Sequence, residues 1–199
     1  MAILLSGEAG ELSGRTLPHK TWTRDEIKVL ESTGLFDGTH YELIDGELID
    51  KMGKNRPHVK GTRNIVRTLE KVFGADHVEQ EAPVDVAAGD RARNEPEPDV
   101  TVVRRPTAEI DTAPLPSEVA LVVEVADSTL WHDTNVKAAL YARAGFPEYW
   151  VLDIKGRKLH VLRDPAEGVY RTHLEFDESG SVRPLAKPDC AVSVASLLP

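Results

Sequence analysis

Hydrophobic positions follow a helical spacing in three parts of the chain. Thr23 and Glu26 fit a capping box at the start of the first part, because the threonine oxygen can accept a backbone N–H and the glutamate can reach back. Pro57 suits the first turn of the second part. The spacing of apolar residues, with glycines at the ends, predicts helices over residues 24–33, 57–73 and 133–144.

Short valine-rich segments predict the strands. Residues 119–123 are apolar at every position, which is typical of a central strand covered on both faces. The pair Asp45-Gly46 tolerates the positive φ angles of a tight turn, so the apolar stretches on either side of it predict a β-hairpin. The other segments with strand composition are residues 77–86, 99–104, 119–126, 148–153, 158–162 and 168–176.

The order of these elements predicts an α/β domain of the α+β type. We expect a mixed β-sheet flanked by helices, with an N-terminal helix and β-hairpin added to it. This single domain is expected to span residues 21–199. Residues 1–20 have no clear period and contain three glycines, so we expect a flexible N-terminal arm there.

Composition and charge narrow the classes of function. Hydrophobic residues make up 41% and charged residues 29% of the 199 residues, which is ordinary for a globular protein. The sequence lacks an apolar run of the roughly 20 residues that cross a bilayer, so no membrane partner is expected. Cys190 is the only cysteine, which excludes an internal disulfide and a cysteine zinc site and favours the cytoplasm. The formal net charge of −9 argues against indiscriminate nucleic-acid binding, although a local basic face remains compatible with it.

Two carboxylates occur in predicted strands, where such residues are rare. Asp99 opens one strand, and Glu124 interrupts the most apolar stretch of the chain. A buried carboxylate needs a cation, a donor or a proton, and two of them together form a hard oxygen site suited to Mg²⁺ or Mn²⁺. In the alternative interpretation, Glu124 lies on the wet face of an edge strand or pairs with an arginine.

The helix that follows adds a lysine to this pair. Asp133, Lys137 and Tyr141 are spaced four apart, so they share one helix face. Lys137 could therefore approach the carboxylates, or it could form an ordinary exposed ion pair with Asp133.

Several short motifs, in this order and spacing, resemble one known family. They extend from about residue 22 to residue 162. The sequence resembles the restriction endonuclease family of Uma type, which is similar to a branch of the PD-(D/E)XK nuclease superfamily. The motifs are Tyr-Glu-Leu-Ile-Asp-Gly-Glu-Leu at 41–48, Pro-His at 57–58, Pro-Asp-Val at 98–100, Val-Glu-Val-Ala-Asp-Ser at 123–128, the residues Asp133, Lys137 and Tyr141, and Gly-Phe-Pro-Glu-Tyr-Trp-Val-Leu-Asp at 145–153.

The resemblance implies a restriction-endonuclease-like core and a set of roles. It implies that Asp99 and Glu124 bind a divalent metal and act as catalytic residues. The superfamily pattern expects a lysine two positions after the second carboxylate, where this chain has Ala126. By resemblance, Lys137 supplies the missing amine from the following helix.

Other residues are weaker candidates. Glu47 in the hairpin, His58 at a helix start and Tyr141 are auxiliary candidates, each of which also has an ordinary structural explanation. Basic residues at helical spacing predict a nucleic-acid-binding face, or a simple solvated stripe. They are Lys60, Arg63 and Arg67.

We therefore expect an Mg²⁺- or Mn²⁺-dependent endonuclease that hydrolyses phosphodiester bonds, with DNA as its substrate. The alternative is a catalytically inactive nuclease-fold module that acts in protein or nucleic-acid binding. A glycosidase-like carboxylate pair ranks last, because only 6% of the residues are aromatic and a sugar cleft would need them. The family resemblance also implies a homodimer.

Overall fold

The computed structural model describes residues 19–51, 53 and 55–199, and it confirms the predicted order of elements. Most of the predicted arm over residues 1–20 lies outside the described residues. The helices are α1 (Arg24–Glu31), α2 (Arg56–Phe73) and α3 (Ala138–Ala144). The strands are β1 (Tyr41–Ile44), β2 (Glu47–Asp50), β3 (Val78–Gln80), β4 (Val100–Val103), β5 (Val119–Ala126), β6 (Glu148–Asp153), β7 (Lys158–Ala166), β8 (Val169–Asp177), β9 (Ser181–Val182) and β10 (Val192–Ser193).

Six of the strands form one mixed sheet, in the order β3-β4-β5-β6-β7-β8. Neighbouring strands are antiparallel except for β5 and β6, which are parallel. Parallel neighbours need a long connection, and the helical segment that contains α3 provides it. The predicted mixed sheet with flanking helices is thus confirmed, and the hairpin β1–β2 forms a separate two-stranded sheet.

Apolar side chains pack on both faces of this sheet. On one face, Ile65 and Leu69 of α2 pack with Val123 and Val125 of β5. Gly61 lets α2 approach closely, because a Cβ atom there would lie 3.3 Å from Val125 Cγ1. The other face packs against α3 and the hairpin. The buried residues of this second cluster include Val122, Ala126, Leu140, Tyr141, Phe146 and Tyr149. All eight residues of β5 are buried, as expected for a central strand.

The N-terminal helix begins as its sequence predicts. Thr23 Oγ1 accepts a hydrogen bond from the backbone N–H of Glu26 at 3.3 Å, and Glu26 Oε2 accepts one from the N–H of Thr23 at 3.0 Å. This reciprocal capping box satisfies two backbone donors that would otherwise lack partners. Across the described part of the chain, no helix has the length and apolarity that crossing a membrane requires.

Three details of the predicted elements are corrected. The strand predicted over 77–86 ends at Gln80, because Glu81 has a φ of +52° and Pro83 has no N–H to donate. The helix predicted over 133–144 begins as a π-helical turn, His132–Lys137. The two-residue strands β9 and β10 were not predicted, since such short segments carry no periodic signal.

Candidate active site

The predicted carboxylates meet at a cavity of about 240 Å³ between the sheet, the start of α2 and the π-helical turn. Asp99 precedes β4 directly, and Glu124 lies in the neighbouring strand β5. The antiparallel register pairs Val100 with Val123, which brings the two carboxylates to the same end of the strand pair. The cavity is lined by Glu42, Ile49, Asp50, Lys51, Gly53, Asn55, His58, Asp99, Glu124, Val125, Asp127, Ser128, Thr129, His132, Asp133 and Lys137.

Backbone hydrogen bonds orient both carboxylates. The N–H of Val125 donates to Asp99 Oδ2 at 2.8 Å, and the N–H of Asp99 donates to Glu124 Oε2 at 3.4 Å. Each of the two residues is only 3% exposed. Because Glu124 is buried in a central strand, the alternative that places it on the wet face of an edge strand is wrong.

Lys137 lies between two buried glutamates. Its Nζ is 2.9 Å from Glu124 Oε1 and 2.7 Å from Glu42 Oε1. Tyr141, one turn further along the helix, donates its hydroxyl hydrogen to the same Glu124 oxygen at 2.9 Å. Lys137 is 3% exposed, so the interpretation of this lysine as an exposed surface pair is wrong.

The π-helical turn buries Asp133 and Lys137 together. Such turns carry one extra residue per turn and occur frequently at functional sites. Thr129 donates its hydroxyl hydrogen to Asp133 Oδ2 at 2.6 Å, and Tyr149 donates to the Asp133 backbone carbonyl at 3.0 Å. These bonds fix the turn against the sheet and hold Lys137 in place beside Glu124.

Burial controls the electrostatics of the cluster. It raises the pKa of Glu124 to about 8, because desolvation of the carboxylate outweighs the attraction of Lys137. Burial also raises the pKa of Asp133. For Lys137, burial opposes the charged form, but the neighbouring Glu124 and Glu42 raise its pKa overall, so the ammonium stays protonated.

His58 reaches the cluster from the start of α2. Asn55 caps this helix, with its side-chain oxygen accepting from the His58 N–H at 3.0 Å. His58 Nε2 is 3.2 Å from Asp99 Oδ2, and its side chain is 13% exposed. The ring is therefore partly buried and contacts the Asp99 carboxylate.

Comparison with known proteins identifies the family and the fold of this chain. A family model described as "Uma2: Putative restriction endonuclease" matches residues 25–195, most of the chain. The chain belongs to the Uma2 family. A crystal structure of "a putative nuclease belonging to DUF820" from Anabaena variabilis ATCC 29413 has 19% sequence identity and a TM-score of 0.61, covering 79% of this chain and 88% of that chain. At this identity the likeness shows a shared fold. A search of curated proteins finds no match.

The structure adds one glutamate of this Uma2 chain to the candidate site and removes another from it. Glu42, buried in β1, pairs with Lys137, and its other oxygen accepts from the Glu97 N–H at 3.2 Å. Glu47 lies beside the hairpin turn, is exposed, and pairs with His19 at 2.9 Å. The expectation that Glu47 contributes to the metal's surroundings is therefore corrected. Glu42 lies within the apolar stretch of β1, so the argument used for Glu124 could have found it.

The predicted basic residues of the Uma2 chain lie on the exposed face of α2. Arg63 and Arg67 line a groove of about 350 Å³, and His58 lines both this groove and the carboxylate cavity. Lys60 is exposed on the same helix, outside the groove. His58 and the two arginines thus line one groove, which also contains Glu70 and Glu81.

Proposed function

We propose that this Uma2 chain is a divalent-metal-dependent endonuclease that hydrolyses phosphodiester bonds in DNA. The observation that carries the proposal is the buried set of Asp99, Glu124 and Lys137 at the wall of an open cavity. Two carboxylates and an amine in contact are the groups that metal-assisted phosphodiester hydrolysis uses. A shared fold with a structure described as a nuclease agrees with it.

The donor set of the cavity fits a hard divalent cation. Four buried carboxylates, from Glu42, Asp99, Glu124 and Asp133, line the same cavity as the buried ammonium of Lys137. Carboxylate oxygens in excess of nearby cations favour Mg²⁺ or Mn²⁺. We assign Asp99 and Glu124 as the metal ligands because they lie side by side at the ends of the paired strands β4 and β5.

Each side chain of the site has a separate role in the proposed reaction. A bound Mg²⁺ would polarise the scissile phosphate and make a water molecule a stronger nucleophile. Lys137, kept positive by its two glutamates, stabilises negative charge that develops on the phosphate oxygens. Tyr141 holds the Glu124 carboxylate in position through its hydrogen bond. His58, at the helix start, lies where it can contact a phosphate.

The direct test is nicking of supercoiled plasmid by the purified protein with Mg²⁺ or Mn²⁺, and with a chelator. Metal-dependent nicking supports the proposal. The competing account, an inactive nuclease-fold binding module, predicts no nicking with either metal. The contact between Lys137 and Glu124 favours the active enzyme, because it supplies an amine that Ala126 cannot. The homodimer and the cytoplasmic location stay predictions.

Metal affinity is expected to rise with pH up to about 8 and then level off. The ligand form of Glu124 is the carboxylate, whose raised pKa means that the metal must displace a proton below that pH. Calorimetry in buffers of different ionisation enthalpy should therefore detect about one proton released per Mn²⁺ at roughly pH 6.5 and almost none at roughly pH 9. An affinity that does not change with pH would contradict this role of Glu124.

Replacing Arg63 and Arg67 by alanine is expected to weaken DNA binding equally for all sequences. Both residues are exposed on the groove that shares His58 with the cavity, so their loss removes phosphate contacts without disturbing the core. The slope of log affinity against log salt concentration should fall by about one for each arginine removed. Fluorescence anisotropy at several salt concentrations measures this slope. Arg171→Ala, an exposed arginine of β8, is the control, and an equal effect there would refute a specific face.

A further inference from the structure

The hairpin formed by β7 and β8 brings two histidines and a glutamate together. His160 of β7 pairs directly with Glu175 of β8, and His173 lies two residues before Glu175. Because side chains alternate along a strand, His173 and Glu175 are on the same face as His160. One nitrogen from each ring and a carboxylate oxygen all lie within 4.8 Å of one another.

The distances fit the ligands of a tetrahedral metal ion. His160 Nδ1 is 3.1 Å from His173 Nε2 and 3.7 Å from Glu175 Oε1. Two ligand atoms at about 2.0–2.2 Å from a tetrahedral zinc ion are roughly 3.3–3.5 Å apart. These two separations are therefore within a few tenths of an ångström of the tetrahedral spacing, and the third pair of ligand atoms lies within 4.8 Å. Lys158 binds the other oxygen of Glu175, Oε2, at 2.9 Å, which leaves Oε1 directed at His160.

This cluster is separate from the carboxylate cavity. It belongs to the last two strands of the sheet, whereas Asp99 and Glu124 lie at β4 and β5, and none of the three residues lines the cavity. Its ligand chemistry also differs, because two imidazoles and one carboxylate suit Zn²⁺ and related transition metals, not Mg²⁺. One metal would not serve both sites equally well.

We propose that His160, His173 and Glu175 form a second metal site, which binds a divalent transition-metal ion of the zinc type. The ion joins β7 to the edge strand β8 through side chains, in addition to the backbone ladder. Three protein ligands leave a fourth position for water or an external ligand. The competing explanation is a simple hydrogen bond between the two rings, with one nitrogen protonated and the other accepting.

The test is a Zn²⁺ titration of the untagged protein by calorimetry, in excess Mg²⁺ so that the carboxylate cavity is saturated by the other ion. The variants are His173→Gln and Glu175→Gln, because both residues are exposed and their replacement leaves the core intact. His160 is buried, so it is not the primary variant. His19→Gln, an exposed histidine at the other end of the chain, is the matched control.

We expect one equivalent of Zn²⁺ to bind the wild type and the His19→Gln control. Affinity should fall by roughly tenfold or more in each site variant, since each loses one ligand. Zn²⁺ should also raise the unfolding temperature of the wild type, and the rise should be lost in His173→Gln. Binding that is absent from the wild type, or unchanged in both site variants, would overturn the proposal and leave the hydrogen-bonded histidine pair as the explanation.

The same Zn²⁺ titration is carried out on the variant Asp99→Asn. Equimolar Zn²⁺ binding that persists there assigns the ion to the hairpin. Binding that disappears there would assign it to the carboxylate cavity and would contradict the second site. The proposal thus stands or falls independently of nuclease activity.

Discussion

Replacing Asp99 by asparagine is expected to reduce metal-dependent DNA cleavage by at least about 100-fold, because a catalytic metal supplies several kcal/mol of barrier lowering and each 1.4 kcal/mol is a factor of ten. Asparagine keeps the size of the side chain, and its oxygen can still accept the Val125 N–H. A loss of cleavage would therefore result from the missing negative charge and not from a change in side-chain shape. Initial rates of plasmid nicking at saturating Mg²⁺ measure it.

Glu47→Gln is the matched control for this experiment. Glu47 is a carboxylate in the nearby hairpin, but it is exposed and paired with His19 outside the cavity. It should keep the wild-type rate. Asp99→Asn that nicks DNA as fast as the wild type, with its fold intact by circular dichroism, would refute the assignment of Asp99 as a metal ligand.

Replacing Lys137 by methionine is expected to lower the free energy of unfolding of the metal-free protein by about 3–5 kcal/mol at a pH above 8, where Glu124 of the wild type is ionised. The buried ammonium separates Glu42 from Glu124, so its removal leaves two buried carboxylates without a cation. The cost should shrink as the pH falls, because Lys137 lowers the pKa of Glu124 and the variant, which lacks this attraction, protonates Glu124 at a higher pH than the wild type does. Urea unfolding at two pH values measures both effects.

A second substitution separates charge from packing at this position. The double variant combines Lys137→Met with Glu42→Gln. It lacks one of the two carboxylates that Lys137 contacts in the wild type, so part of the lost stability should return. Lys137→Met with wild-type stability at high pH would contradict the account. So would an equal cost at both pH values, which would point to lost packing.

The central sheet was predictable because its signals are local and strong. The apolar run of β5, the Asp45-Gly46 turn and the amphipathic helix α2 each carry their own pattern, and each is confirmed. Glu124 stood out because a carboxylate inside such a run conflicts with burial. The pairing of β4 with β5 is enough to place Asp99 beside Glu124.

Other features depend on contacts that the sequence does not encode locally. The π-helical turn His132–Lys137 has the composition of an ordinary helix, and its contact with the sheet, through Tyr149 and the Asp133 carbonyl, depends on the tertiary structure. The pairing of His160 with Glu175 depends on the register of β7 and β8, which a shift of one residue would destroy. Glu42 and Glu47 occupy the same hairpin, and only the tertiary arrangement buries the first and exposes the second.

The measurement that tests the central claim most directly is calorimetric titration of Mn²⁺ into the wild type and into Glu124→Gln, with plasmid nicking measured on the same samples. Glutamine keeps the shape of the side chain and removes the carboxylate that Asp99, Lys137 and Tyr141 surround. We expect the wild type to bind Mn²⁺ and to nick DNA, and Glu124→Gln to lose both together. Binding and nicking that persist in Glu124→Gln, or a wild type that shows neither, would contradict the account of this cavity as a metal-dependent nuclease site.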